Sequence, residues 1–476
     1  MKKVLSVLLC CFVLFLCVYL PVNAADEKTV LYLNYGDITI DEYGVDGYDI
    51  NGNAVYDSNP LGYVITQKNP NIAIDKGVTI SGTSCNVELL NLNIKRTAEY
   101  NGAVVLKSEA NVTFTLSGVN YLISGSQHAG LEIPPNNKAE INGDGTLYAQ
   151  SSMNAGIGGG GGLSNGTLVI NSGTIYATGG TDSYGAGIGG GNSGTGGTIT
   201  INGGFVYAQG GYHGAGIGGG DMKVGGNITI NGGVVTAIGG DEAAGIGSGC
   251  MPISKTAVTN VIINGGSVKA VAGSGASNIG NGKDAKSIFN GVKNSDGNSV
   301  SLVKISAGDF KQLFINGVET SAVEMLHPDD NQLYLYTDST PKIITEYMND
   351  GSVKFIKYNA SGNSQIYPFT NNCERFEDKL IKDRTASIEV QDGFSINDNT
   401  KLMYNSVCVD TFAAVSRGDA NIDDEFNGMD AVIAECVVGN MLSDTLTVKL
   451  SDADGNGNVN DEDIDLLVQC GLGGDF

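Results

Sequence analysis

The tetrapeptide Ala-Gly-Ile-Gly occurs four times between Asn142 and Gly282, and its regular spacing is the strongest indication of the fold. The copies occupy Ala155–Gly158, Ala186–Gly189, Ala215–Gly218 and Ala244–Gly247, and a decayed fifth copy occupies Ser277–Gly280. Their isoleucines lie 31, 29, 29 and 33 residues apart. Two other motifs keep this period: an asparagine that follows an isoleucine (Asn142, Asn171, Asn202, Asn231 and Asn264) and an alanine that ends an apolar run (Ala149, Ala177, Ala208, Ala237 and Ala270). Three β-like runs per unit with glycine corners predict one coil of a right-handed parallel β-helix.

Within each unit, apolar residues alternate with polar ones. Ile199 and Ile201 alternate with threonine, so these isoleucines are expected to face a core while the threonines face water. The same alternation places Ile175 inside and Tyr176 outside. Because parallel coils put each residue above its equivalent, the recurring asparagines are expected to form a ladder of amide hydrogen bonds.

The net charge excludes two classes of partner, and the first residues indicate where the protein acts. The formal net charge is −24, which argues against nucleic acid and anionic membranes as partners because both need basic patches. Residues 1–24 have the pattern of a secretory signal peptide, with Lys2 and Lys3 before an apolar run and a small-residue cleavage site. No later apolar run reaches the length of a membrane span. The sequence therefore predicts a secreted, extracellular protein, free or at a cell surface.

Six cysteines remain beyond residue 24, and they form no Cys-x-x-Cys pair, which disfavours a zinc site of that spacing. Disulfides are permitted outside the cell, but buried free thiols are the preferred interpretation.

Beyond residue 24 the chain is predicted to be mainly β. The weaker repetition of the early residues is expected to give the first coils and an atypical cap of the same solenoid. The predicted order is a β-helix over residues 26–290, a small β-module over 296–345, a β-rich spacer over 346–414 and a small α-helical calcium-binding domain over 416–476.

Two acidic loops near the C-terminus have the spacing of calcium-binding loops. In the second loop, Asp452 stands at position 1 and Asp463 at position 12, with Gly457 at position 6, where such a loop turns sharply. The first loop has Asp424 at position 6, where a non-glycine residue is expected to strain the turn. Calcium prefers oxygen donors in a flexible cage, so two calcium ions are predicted. The candidate ligands are Asp419, Asn421, Asp423, Glu425, Asn427 and Asp430 in the first loop, and Asp452, Asp454, Asn456, Asn458, Asn460 and Asp463 in the second.

This pair of loops, each followed by a short apolar helix, resembles a type I dockerin, the module that attaches secreted proteins to cohesins of cellulosome-like scaffolds. The resemblance covers residues 416–476 and implies a cohesin-bearing partner. It also implies that Gly428, Met429, Glu435 and Cys436 in the first copy, and Asp461, Glu462, Val468 and Gln469 in the second, contact the cohesin. The two copies differ at each of these positions, which disfavours the two-way binding of a cohesin that is inferred for dockerins with symmetric copies.

The glycine-rich repeat resembles bacterial β-helix proteins described as carbohydrate-binding, over roughly residues 28–345. Three outward tyrosines, Tyr148, Tyr176 and Tyr207, occupy one position in consecutive coils, and Tyr184 and Tyr212 lie at the neighbouring corner. In a chain without tryptophan, such a column is the natural surface for the apolar faces of sugar rings. Alternatively, the stacked tyrosines only stabilise the sheet.

Catalysis is the competing interpretation, because pectate lyases and polygalacturonases share the β-helix. The stretch from Asn142 to Gly282 has no arginine, and its acids are scattered at corners, although Asp182, Asp221 and Asp241 could approach one another. The chain's three histidines lie far apart in sequence, which disfavours a nucleophile–histidine pair. No catalytic residue is therefore assigned. The sequence predicts a polysaccharide-binding protein, with plant cell wall as the expected source, and leaves a polysaccharide lyase or hydrolase and a structural adhesin as alternatives.

Overall fold

The computed structural model describes residues 27–180, 183–306, 310–320, 325–338, 342–359, 362–370, 373–383, 386–391 and 393–472. The predicted signal peptide, residues 1–24, lies outside these ranges. The chain divides into two compact units, one ending at Ser295 and the other beginning at Asp296. Among the described residues, no helix has both the length and the apolar character needed to cross a bilayer.

The first unit is a right-handed parallel β-helix built from three sheets, with one strand of each sheet in every complete coil. Sheet I contains Thr29–Tyr32, Tyr63–Thr66, Ser84–Leu90, Asn111–Ser117, Lys138–Gly143, Thr167–Ile170, Thr198–Ile201, Asn227–Ile230, Val258–Ile263 and Ile288–Lys293. Sheet II contains Asn93–Lys95, Val119–Ser124, Thr146–Ser151, Thr174–Thr178, Phe205–Gln209, Val234–Ile238 and Ser267–Val271. Sheet III contains Ile38–Asp41, Gly44–Tyr48, Ala54–Asp57, Val78–Ser81, Val104–Lys107, Leu131–Glu132, Ile157–Gly158, Ile188–Gly189, Ile217–Gly218, Ile246–Gly247 and Ile279–Gly280.

The early residues form coils of the same three sheets, as the sequence predicts. At the N-terminal end of sheet III, strands Gly44–Tyr48 and Ala54–Asp57 pair antiparallel and cover the strand Ile38–Asp41. This hairpin occupies an edge that would otherwise present unpaired backbone groups. At the other end, the last strand of sheet I, Ile288–Lys293, runs past the predicted limit of residue 290.

The predicted alternation and the predicted amide ladder are both present. Ile199 and Ile201 are fully buried, and Tyr176 lies outside between the buried Ile175 and Ala177. From Asn171 to Asn264, each asparagine that follows an isoleucine donates a hydrogen bond from its side-chain amide to the side-chain oxygen of the equivalent asparagine in the preceding coil. The Nδ2–Oδ1 distances are 2.9 Å for Asn171 to Asn142, and 2.7 Å for Asn202 to Asn171, Asn231 to Asn202 and Asn264 to Asn231. Each such bond satisfies polar groups and fixes the register of the coils.

Glycine at the anchor is required by the close approach of the coils. Gly189 has φ of +137°, and a Cβ built there would lie 2.0 Å from the carbonyl oxygen of Gly218 in the next coil. Gly158 and Gly218 meet the following coil in the same way. The backbone of one coil therefore fills the space that a side chain would need.

The second unit begins with antiparallel sheets. Strands Val300–Ser306 and Gln332–Asp338 form a pair. A five-stranded sheet contains Phe310–Ile315, Val318–Thr320, Lys342–Met348, Val353–Asn359 and Gly362–Ile366. Two three-stranded sheets follow, one of Cys373–Phe376, Lys379–Lys382 and Ala413–Ser416 and one of Phe394–Asn397, Lys401–Tyr404 and Val407–Thr411.

The predicted boundary between residues 345 and 346 falls inside the strand Lys342–Met348, which pairs with strands on both sides of it. The hydrophobic pattern alone could not reveal this pairing, because both flanking strands alternate equally well.

Three short helices end the described chain: α1 (Gly428–Val438), α2 (Thr445–Ser451) and α3 (Asp461–Gly471). Helices α1 and α3 pack through the buried side chains of Ala431, Ala434 and Leu467. Leu450 of α2 is buried instead against Phe376, Ile381 and Val415 of the neighbouring sheet. The residues predicted as a separate domain from 416 onward thus share a core with the preceding sheet.

Candidate functional site

A column of tyrosines runs along the outer face of sheet II. Tyr148 pairs in register with Tyr176, and Tyr176 pairs with Tyr207, so the structure brings the three predicted residues into one line. Tyr121 precedes them, in register with Tyr148. Sequence analysis missed Tyr121 because its coil lacks the glycine anchors that revealed the repeat. After Tyr207 the column continues as Thr236 and then Lys269.

The tyrosine rings stack face to face at the start of this column and are tilted relative to one another at its end. Tyr121 and Tyr148 stack with centroids 4.8 Å apart and planes 9° apart, and Tyr148 and Tyr176 stack at 4.7 Å and 6°. Tyr176 and Tyr207 are tilted by 44° with centroids 6.1 Å apart. Because the next residue, Thr236, carries no ring, Tyr207 ends the aromatic run with one face that no aromatic ring of the column covers. The column is therefore a stacked ladder rather than a flat strip, and both of its end rings, Tyr121 next to Asn93 and Tyr207 next to Thr236, have one face that no ring of the column covers.

The neighbouring corner carries the other two predicted tyrosines. Tyr212 is 49% exposed and stacks on the imidazole of His213 at 4.4 Å, while Tyr184 is 36% exposed and tilts against the same imidazole at 5.5 Å. Tyr212 follows Tyr207 by five residues in one coil. This corner adds exposed aromatic surface to the coil in which the ladder ends.

The acids considered for catalysis occupy different environments. Asp144 and Asp241 are exposed, and Asp182 lies outside the described residues. Asp221 is buried beside His213, and Glu242 forms an ion pair with Lys283. The structure thus gives Asp221 and Asp241 different surroundings.

The distance between the three histidines in the sequence disfavours a nucleophile–histidine pair, but it does not show which other residues the coils bring close to each histidine. The coils bring His213 together with Asp221 and Cys250, and the ligating atoms of the three lie within 4.8 Å of one another. Burial raises the pKa of the Cys250 thiol to about 12, with a further contribution from Glu242. A thiol that is fully buried and resists ionisation is a poor nucleophile, so this group does not form a cysteine–histidine catalytic pair.

The six cysteines among the described residues form no disulfide. Cys250 and Cys470 are buried, and the other four are half-buried, so the expectation of mostly buried thiols holds for two of the six.

The two C-terminal loops have the same backbone course. Positions 4 and 6 adopt positive φ in both, with 72° and 91° at Gly455 and Gly457, and 58° and 65° at Ile422 and Asp424. The strain expected at Asp424 is present, and a second strained residue, the β-branched Ile422, was not anticipated. Both loops still close, so the first loop stores backbone strain that the second avoids.

Buried carboxylates stand at positions 1 and 12 of each loop. Asp419 and Asp430 are 1% and 0% exposed, and Asp452 and Asp463 are 6% and 0% exposed. In the second loop, carboxylate oxygens of Asp452, Asp454 and Asp463 lie within 4.8 Å of one another.

Burial raises the pKa of Asp419 and of Asp452, since desolvation penalises the charged carboxylate. The Oδ1 atom of Asp452 is buried without a hydrogen-bond partner. A cation at this point would satisfy that oxygen, and the oxygen-rich donor set suits a hard cation.

Position 9 serves another purpose in both loops. Asn427 accepts a hydrogen bond from the backbone N–H of Met429, and Asn460 accepts one from that of Glu462, so both asparagines cap the helices that follow. Asp430 and Asp463 complete each capping box. With these side chains used as caps, a contribution from position 9 to a cation would run through water, as is common at this position.

The residues that the dockerin resemblance assigns to partner contact lie at the surface. Gly428, Met429, Glu435, Asp461, Glu462, Val468 and Gln469 are exposed, and Cys436 is half-buried. Met429 and Val468 are 55% and 42% exposed, and Val432 on α1 is 51% exposed. Both helices therefore present apolar side chains to solvent.

Comparison with known families supports the solenoid. The family model described as Beta helix repeat matches residues 140–161, 168–192, 199–221 and 228–250. Each match begins in a strand of sheet I and ends in the loop after a glycine anchor of sheet III. No curated protein and no solved structure matches the chain.

Proposed function

We propose that this β-helix protein is secreted, binds polysaccharide on its tyrosine-bearing face and is attached to a cohesin-type partner through its C-terminal calcium loops. The observation that carries the binding function is the in-register column of tyrosines that ends at Tyr207. The beta helix repeat fits polysaccharide-related proteins in general, and the tyrosines supply a specific surface for such a ligand.

Sugar recognition would use the Tyr207 end of the column. Pyranose rings present apolar C–H faces, and these pack on aromatic faces that are not already covered. Both faces of the Tyr148 ring are covered by its neighbours, whereas one face of the half-buried Tyr207 ring is not covered by a ring of the column, and Tyr212 is 49% exposed. The stacked tyrosines before them would add a row of phenolic hydroxyls that can bond sugar hydroxyls. We infer a plant cell-wall polysaccharide as the ligand class.

Calcium would hold the two C-terminal loops. The residues that fit it are the buried carboxylates at positions 1 and 12 of each loop, with Asn421, Asp423, Asp454 and Asn456 between them. The carbonyl groups of Glu425 and Asn458 would add one donor each. A bound cation would neutralise carboxylates that otherwise repel one another, and its binding energy would add to the folding energy of the loops.

Attachment would use the exposed faces of α1 and α3. Exposed apolar side chains on two adjacent helices favour contact with another protein, because their burial removes apolar area from water. Met429 and Val432 on α1 and Val468 on α3 are the side chains that carry this argument. The resemblance of the loops to a type I dockerin supports a cohesin as the partner class that we propose.

The test is retention of the full chain on insoluble plant cell-wall polysaccharide in calcium-containing buffer. Binding without release of soluble sugar supports the proposal, whereas release of oligosaccharide would indicate a polysaccharide lyase or hydrolase. Absence of retention on every polysaccharide tested would leave a structural adhesin and contradict the binding function.

A further inference from the structure

A second group of residues lies on the loops that flank sheet III. His213 stands four residues before the anchor isoleucine Ile217, and Asp221 stands four residues after it. One coil later, Cys250 occupies the position equivalent to Asp221. The backbone N–H of Cys250 donates to the carbonyl oxygen of His213 at 3.0 Å, which fixes the two loops side by side. Residues 37 positions apart are thereby held together by the repeat itself.

The same backbone contact recurs in neighbouring coils. Asp221 N–H donates to the carbonyl oxygen of Tyr184 at 2.9 Å, and Lys283 N–H donates to that of Glu242 at 2.8 Å. Three successive coils thus align their flanking loops in one arrangement. The contact between His213 and Cys250 places an imidazole beside a thiol, and Asp221 of the same coil as His213 adds a carboxylate. The other two contacts involve tyrosine, glutamate or lysine at the equivalent positions.

The three side chains converge in a poorly solvated site. Nδ1 of His213 lies 3.3 Å from Oδ1 of Asp221, and the three ligating atoms lie within 4.8 Å of one another. Cys250 is completely buried and Asp221 is 8% exposed, while the side chain of His213 keeps 18% exposure. The group is therefore closed on the side of Cys250 and reachable from solvent on the side of His213.

One oxygen of the carboxylate in this group lacks a hydrogen bond. Oδ1 of Asp221 is buried without a hydrogen-bond partner, although the imidazole is near. Lys283, a basic side chain on one of these flanking loops, is paired with Glu242. An unsatisfied buried carboxylate oxygen is costly, and it is uncommon without an ion or a water to complete it.

We propose that His213, Asp221 and Cys250 form a site for a divalent transition metal of the zinc class. Nitrogen, oxygen and sulfur donors together suit Zn²⁺ and similar borderline ions rather than calcium, which takes oxygen ligands. Zinc bonds of about 2.0–2.3 Å require ligating atoms about 3.5 Å apart, so a small movement of the Cys250 side chain completes the set. Three protein ligands leave one position for water beside the partly exposed His213.

Glu242 completes the surroundings of this site. Its Oε2 atom lies 3.4 Å from Sγ of Cys250, and its other oxygen is held by Lys283. In the absence of a metal this carboxylate accepts the hydrogen bond of the Cys250 thiol, and because cysteine binds a metal as the thiolate, metal binding would release that proton. The metal would join the loops of two consecutive coils and so cross-link the solenoid.

The test is titration of the full chain with Co²⁺ in excess calcium, which occupies the C-terminal loops, and with a reductant that contains no thiol. One equivalent of Co²⁺ is expected to produce the near-ultraviolet absorption of a cobalt–thiolate bond, and Zn²⁺ is expected to remove it by displacement. The isosteric Asp221→Asn substitution and Cys250→Ser are expected to lower the affinity for Co²⁺ at least about ten-fold, with Cys250→Ser also abolishing the thiolate band.

Cys85→Ser is the matched control, because Cys85 is another free thiol of the solenoid that lies far along the chain from this group. The band is expected to survive in this variant. Far-ultraviolet circular dichroism establishes that each variant is folded. A folded wild-type chain without the band, or a band lost in Cys85→Ser and kept in Cys250→Ser, would overturn the proposed site.

Discussion

The phenol rings of Tyr148 and Tyr176 stack face to face with centroids 4.7 Å apart and planes 6° apart. This separation is the spacing of hydrogen-bonded strands, about 4.7–4.9 Å, so the coils themselves impose the stacking. A ring held in this way interacts with its neighbours and offers only its edge to a ligand. The ladder therefore divides into covered rings that stabilise the sheet and open rings that are available for binding.

We predict that Tyr207→Ala combined with Tyr212→Ala weakens retention on polysaccharide about ten-fold or more. Each aromatic contact contributes about 0.5–1.5 kcal/mol beyond its buried area, and the double substitution removes two neighbouring rings of one coil. Retention is measured by depletion of the full chain from solution over a range of polysaccharide concentrations.

Tyr148→Ala is the control within the same column. Because its ring is covered on both sides, the substitution is expected to lower the free energy of unfolding by about 1 kcal/mol or more, and to leave retention nearly unchanged. Equal loss of retention in Tyr148→Ala and in the double variant would contradict the division into covered and open rings.

Removal of calcium is predicted to destabilise more than the loops. Leu450 on α2 packs with Phe376, Ile381 and Val415, so unfolding of the C-terminal helices would expose part of the core of the neighbouring sheet. In calorimetry, a chelator is expected to lower the unfolding temperature of the second unit and to leave that of the solenoid unchanged. A thermogram that does not respond to chelation would refute calcium binding by the loops.

Asp452→Asn tests the second loop separately. Its carboxylate has the unpartnered buried oxygen, so its neutralisation is expected to reduce the calcium stoichiometry from two to one. Asp465→Asn, at an exposed carboxylate on α3 outside the loop, is the matched control and is expected to keep both ions. Two ions bound by Asp452→Asn with unchanged affinity would show that this carboxylate is not a ligand.

Much of the solenoid could be predicted because the same short-range patterns, an alternation of apolar and polar residues and an asparagine after an isoleucine, recur in every coil of the repeat. Alternation decided which side chains face the core, and the asparagine after each isoleucine was enough to predict the ladder from Asn142 to Asn264. Ring orientation could not be predicted in this way. The register placed Tyr148 and Tyr176 in one column, but their rotamers, set by packing between coils, determined that the faces are covered.

The group around His213 was missed for a different reason. His213 and Cys250 lie 37 residues apart, and the distance between the histidines in the sequence was weighed only as evidence against a nucleophile–histidine pair. In a solenoid, whether two residues are close in space depends on the position of each within its own coil, counted from the anchor isoleucine, and not on the number of residues between them. At offsets of minus four and plus four, His213 and Cys250 lie on flanking loops that meet between consecutive coils. That signal was available in the repeat.

Gly189→Ala is predicted to destabilise the solenoid strongly. The new Cβ would lie 2.0 Å from the carbonyl oxygen of Gly218, and the backbone of both coils is fixed by hydrogen bonds. Overpacking costs about 1–3 kcal/mol and the disfavoured φ of +137° about 1–3 kcal/mol more, so a loss of about 2–6 kcal/mol is expected in denaturant unfolding.

Gly162→Ala separates these two causes. Gly162 also has positive φ, 72°, but its Cβ would meet no atom within 4 Å. A cost of about 1–2 kcal/mol from the left-handed conformation alone is therefore expected. Equal losses of stability in the two variants would show that the close approach of the coils is not what requires glycine at position 189.

His128 is predicted to make the stability of the solenoid depend on pH. Its Nδ1 lies 2.7 Å from Oε2 of Glu132 and its Nε2 lies 3.1 Å from the carbonyl oxygen of Tyr100, so both partners accept and both nitrogens must carry a proton. The hydrogen bond to Glu132 raises the pKa of His128 above the ordinary value of 6.5, against an opposing effect of burial. Because the folded pKa of His128 is raised, the stabilisation is complete below the unfolded pKa and is lost as the pH rises through the folded pKa.

The test compares the wild type with His128→Gln from about pH 5 to about pH 8. We expect the difference in the free energy of unfolding, wild type minus variant, to fall as the pH rises. Glu132→Gln is expected to abolish this dependence while keeping the imidazole. A difference that stays constant, or that grows with pH, would show that the imidazolium does not stabilise the fold.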